Sequence, residues 1–100
     1  FVDIEEVFAK PGKEFKVKGY LDKGAEVVYE PSRDPNLTEF TLVDDEGNKC
    51  RVHLRKAKPY DFERSESIVL TGKVVGDEFH ASDMLMKCPS KYNELNRVNG

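Results

Sequence analysis

One hundred residues are enough for one domain with a modest core, and too few for a second domain or a deep cleft. A composition of 38% hydrophobic and 35% charged residues, with four Tyr and six Phe, describes a folded chain rather than a disordered one. The net charge of -3 withholds the globally basic surface that nucleic-acid binding draws on, and no apolar run nears the roughly 20 residues that span a bilayer.

In chain order, Asp3 with Glu6 three positions later, and Ile4, Val7 and Phe8 on one face, predict a short capped helix that Pro11-Gly12 stops. From Glu14 the period becomes two: Phe15, Val17, Gly19 and Leu21 alternate with polar neighbours, the mark of a half-buried strand. Lys23-Gly24 turns the chain into a second extended run, Ala25 to Glu30. The segment from Pro31 to Pro35 is a polar loop, because its prolines cannot donate to a ladder. A third strand is expected from Leu37 to Asp44 with Phe40 and Leu42 inward, followed by a hairpin turn over Asp45 to Asn48. The fourth covers Lys49 to Leu54, with Cys50, Val52 and Leu54 on one face and Arg51, His53 and Arg55 on the other. Pro59 to Phe62 reads as one helical turn, with Phe62 as a plug for the end of a barrel. Ser67 to Val75 is a fifth strand with Ile68, Leu70, Gly72 and Val74 inward. Gly76-Asp77 turns it into Glu78 to Ala81, and a separate short extended piece runs from Met84 to Lys87.

Five to six short strands, a helical lead-in, and glycines inside strands at Gly19 and Gly72 predict an all-β fold: a small OB-like closed β-barrel, with an SH3-like barrel as nearest competitor. The expected division is a lead-in over residues 1–12, a barrel over 13–87, and a flexible C-terminal tail over 88–100, where apolar periodicity ends. No phosphate loop, H-E-x-x-H or nucleophile elbow is present, so the chain does not read as an enzyme.

The cysteines number two, form no C-x-x-C, and leave open whether Cys50 and Cys88 pair. Parity puts Cys50 in the core, where a thiol acts as a small hydrophobe. Cys88 instead follows the last strand and precedes a proline, with Lys87 and Lys91 beside it to favour the thiolate. Tyr92 follows four residues later, and a phenolate is one of the axial ligands of haem iron. The plainer account makes Cys88 an incidental thiol and Tyr92 a solvated ring. His53 and His80 read as solvent-facing strand residues, and Arg51 and Arg55 as an outer charged face that would also suit propionates. Met84, Leu85 and Met86 offer apolar surface, at least one of them packing inward.

The stretch from Phe79 to Glu94 resembles the C-terminal signature of the haem chaperones of cytochrome c maturation, the CcmE family. In that family a strand ending in Leu-Ala-Lys leads into His-x-x-x-Tyr, and a subset carries Cys-x-x-x-Tyr, the form matched by Cys88 and Tyr92. Pro59-Tyr-Asp-Phe62 with Ile68 to Val74, Pro11-Gly12 before Phe15 to Gly19, and Phe40 to Asp44 with the Gly47 turn resemble other family segments in the same order. The resemblance implies a haem carrier that binds haem b transiently, covalently through Cys88 with Tyr92 as iron ligand. Its partners would be membrane haem-delivery proteins, other maturation proteins and apocytochrome c. It also implies a soluble monomeric domain at the periplasmic face of the inner membrane, anchored by a transmembrane helix outside this sequence. Cys at position 88 would make the bond a thioether, or its thiolate would ligate the iron with no covalent attachment, and Pro89-Ser90 replace residues that are more acidic in the family. The competing readings are an OB-type nucleic-acid module using Tyr20 and Tyr29, and a thiol redox protein using Cys50 and Cys88.

Overall fold

The structure is a computed structural model and describes residues 1–87. The elements are α1 (Ile4–Ala9), β1 (Phe15–Leu21), β2 (Thr38–Val43), β3 (Lys49–Leu54), a 3-10 turn (Phe62–Arg64), β4 (Ser67–Val75) and β5 (Glu78–Lys87). The strands close on themselves in the order β1-β2-β3-β5-β4. Neighbours are antiparallel except β3 and β5, which run parallel. This is the expected all-β, OB-like closed barrel, with five strands.

Strand periodicity fills the barrel. Val17 and Leu21, Phe40 and Leu42, Val52 and Leu54, Ile68, Leu70 and Val74, and Phe79 and Ala81 are all buried. Each larger member contributes about 1.5–3 kcal/mol on leaving water. Phe62, fully buried on the 3-10 turn, meets Phe40 edge-to-face at 4.8 Å between ring centroids, so the expected plug is observed.

Helix α1 has six residues, too few to persist alone. The Asp3 side chain accepts the Glu6 N–H at 2.9 Å, and Ile4 and Val7 enter the core. A second tie comes from Asp44 at the end of β2, whose Oδ2 accepts the Ile4 N–H at 2.9 Å. Its Oδ1 accepts the Glu46 and Asn48 N–H groups, each at 2.9 Å, which shapes the β2–β3 turn. Burial opposes ionisation of Asp44, but the bonds from Ile4, Asn48 and Glu46 outweigh it and hold the carboxyl below its ordinary value.

Two expected elements are corrected. The run from Ala25 to Glu30 is not a strand of the barrel. After Leu21 pairs with Leu42 and the Asp22 N–H reaches Thr41 O, the chain swings out and returns only at Val28, which bridges Glu39. This segment follows the same edge of β2 as the end of β1, so it has no second neighbour to pair with. The pieces Glu78 to Ala81 and Met84 to Lys87 are one continuous strand, β5. Asp83 pairs with Thr71 and Ala81 with Gly72, leaving Ser82 as an extra residue in a bulge. The Ser82 hydroxyl donates to Thr71 O at 3.3 Å. Gly72 permits this crowding: a Cβ there would lie 2.1 Å from His80 O and 2.7 Å from Ala81 Cα.

Candidate functional site

Before the bulge, Phe79 and Ala81 point inward; after it, Met84 and Met86 turn partly inward and pack against the core, while Leu85 is 69% exposed. The bulge therefore moves one apolar side chain to the outer face near the strand's end. Leu85 is paired with Val69 of β4, and Val69 with Lys18 of β1, so these three share a row across the outer face. Thr71 lies between Asp83 and Lys16 in the adjoining row. The resulting surface is a small apolar strip bordered by exposed lysines.

The strand stays paired to its last described residue. Lys87 faces Ser67, and its carbonyl accepts the Glu66 N–H. Cys88 is the next residue in the sequence, and both Cys88 and Tyr92 lie outside the described residues. The segment 88–100 assigned to the tail lies outside them as well. The described barrel thus supplies a fixed point of departure at Lys87, with Leu85, Val69 and Lys18 beside it.

Cys50 sits where parity put it, half-buried against the core opposite Leu42. Burial, with the nearby Asp44 charge adding to it, pushes its thiol up to about 12. Such a thiol stays protonated at neutral pH and makes a poor nucleophile. Arg51 donates to Glu26 O at 2.9 Å and Thr41 Oγ1 at 3.1 Å, while Arg55 pairs with Asp34 at 3.4 Å. Tyr20 donates to Asp45 at 2.7 Å, and Tyr29 to Pro35 O at 2.9 Å. These contacts commit the arginines and tyrosines to the barrel's own surface.

His53 and His80 do face outward, but they are not free in solvent. Parallel pairing of β3 with β5 sets them side by side with rings stacked at 4.9 Å and 8°. His53 Nε2 lies 2.7 Å from Glu78 and 3.3 Å from Glu39. Sequence parity gave the correct face; the strand order that makes them neighbours was not read from it.

No helix among the described residues is long and apolar enough to cross a membrane. The described residues define a small closed β-barrel of five strands with one short helix. Comparison with family models matches the CcmE domain over residues 1–95, and the chain belongs to that family. The family consists of haem chaperones of cytochrome c maturation, which bind haem and are not enzymes. No individual curated protein matches the chain.

Proposed function

We propose that this chain receives haem from a membrane partner at the periplasmic face of the membrane, holds it transiently through Cys88 and Tyr92, and passes it to apocytochrome c. The observation that carries the reading is the Cys-x-x-x-Tyr spacing directly after a strand pinned at Lys87, in a chain of this family. The Cys88 sulfur adds to a haem vinyl group. An S–C bond forms as the vinyl π bond breaks, and the thiol proton passes to the other vinyl carbon, so no oxidant is consumed. Tyr92 supplies a phenolate oxygen to ferric iron. Leu85 and Val69 would offer the porphyrin an apolar floor, and the exposed Lys18 and Lys16 bordering that strip would pair with its propionates. Arg51 and Arg55, already engaged, are weaker candidates for that pairing.

Holding haem at a surface suits a carrier, because a deep pocket would slow release. The test adds haem under reducing conditions to wild type, Cys88→Ala and Tyr92→Phe, and reads intact mass and visible spectra. Wild type gains the mass of one haem, Cys88→Ala gains none, and Tyr92→Phe retains the adduct with an altered ferric spectrum. Identical spectra and masses in all three would end the assignment.

A further inference from the structure

We propose that His53, His80 and Glu78 form a binding site for a divalent transition-metal ion, with zinc as the best-suited occupant, on the outer face of β3 and β5. The site lies away from the described end of β5: the partners of His80 and Lys87, Lys73 and Ser67, are six steps apart on β4, about 20 Å at the usual rise.

The donor set is the first argument. Two imidazoles and a carboxylate are a recurrent zinc ligand set, and imidazole nitrogen suits borderline cations such as zinc, nickel and copper. The ligand atoms of His53, Glu78 and His80 all lie within 4.8 Å of one another. Tetrahedral zinc with bonds of about 2.0–2.1 Å places its donors about 3.3 Å apart. His53 Nε2 and Glu78 already meet at 2.7 Å. The widest gap needs to close by about 1.5 Å. Side-chain torsions can supply this without moving the ladder, because all three residues are half-buried on the outside of the sheet.

The second argument is the backbone. His53 and His80 are register partners on adjacent strands, so their Cα atoms are fixed, and Glu78 is on the same face one pleat before His80. Glu39, the register partner of His53 on β2, adds a carboxylate oxygen 3.3 Å from His53 Nε2. Two carboxylates thus neighbour the imidazoles, and the remaining row partner, Lys73 on β4, is exposed and can turn away from a cation. A bound ion would cross-link β3 to β5 at the barrel's one parallel seam.

The probe is zinc chloride titrated by calorimetry into the Cys88→Ser chain, which removes the competing thiol, with cobalt as spectroscopic substitute. One zinc per chain is expected. His53→Gln and His80→Gln should each weaken binding by at least about 10–100-fold, the cost of losing even an outer-shell partner of a zinc ligand, and abolish the tetrahedral cobalt bands. Circular dichroism of the metal-free variants should match the parent, since the substituted side chains lie outside the core. Affinity unchanged in both variants, or no binding at about 1 mM zinc, would overturn the site. Haem capture by the Cys88-containing chain is independent of either result.

Discussion

Asp44→Ala tests whether one buried carboxylate joins the lead-in helix to the barrel. Asp44 is 4% exposed and accepts backbone N–H groups from Ile4, Glu46 and Asn48, each at 2.9 Å. In the alanine variant the Ile4 N–H stays buried without a partner, which costs about 1–3 kcal/mol. The Glu46 and Asn48 N–H groups lie at an exposed turn and recover water, so each lost bond costs about 0.5–1 kcal/mol. The total is about 3 kcal/mol, a large share of the 5–15 kcal/mol that holds a typical domain. For a domain of this size it corresponds to a fall in Tm of about 12–24 °C. The pH dependence has a defined sign. The folded pKa of Asp44 is depressed, so its contribution is complete above the unfolded value of about 3.9 and is lost as pH falls through the folded value. Thermal unfolding followed by circular dichroism from pH 7 downward should show the gap between wild type and Asp44→Ala narrowing only below about pH 4. A loss under about 1 kcal/mol at pH 7, or a gap that persists unchanged at about pH 2, would refute the reasoning.

Phe62→Ala should destabilise by about 3–5 kcal/mol in urea titrations, because it opens a cavity beneath Phe40 at the barrel's end. Cys50 should resist iodoacetamide at about pH 8 in the folded chain and react only after unfolding, as peptide mapping would show; rapid native labelling would contradict its burial. Leu85→Asp should leave stability within about 0.5 kcal/mol, since the side chain already meets water. If the porphyrin lies on that strip, the same change weakens haem affinity about fivefold or more in spectral titrations. Gly72→Ala should lower Tm sharply, because its Cβ would collide with backbone atoms of β5 rather than with a movable side chain.

The barrel was legible because its strands alternate cleanly: β3 and β4 fall on the predicted spans, and Phe62 was recognisable as the apolar end of the helical turn from Pro59. Ala25 to Glu30 misled because Val27-Val28 and Tyr29 carry strand propensity, yet the segment meets β2 only at the single bridge of Val28 with Glu39, beyond the end of β1. The break expected near Ser82 was a real disturbance of parity, produced by a bulge inside one strand rather than by the end of one. The His53–Glu78–His80 cluster escaped notice for another reason. Its members are ordinary outer-face residues in sequence, and become neighbours only through the crossover that sets β3 beside β5. The Cys88 and Tyr92 assignment stands on motif and family, and both residues fall outside the described span.

The extra residue at Ser82 acts as a half-step in the odd–even count of β5. Were Ser82 instead taken into the ladder opposite Thr71, Leu85 would turn to the inside and Met84 and Met86 would swing out to water, trading an adaptable sulfur-bearing lining for a branched one. That slip would also move every later residue one step along β4, about 3.3 Å, and invert its facing. A single serine thus decides which half of the last strand's alphabet the outside world reads.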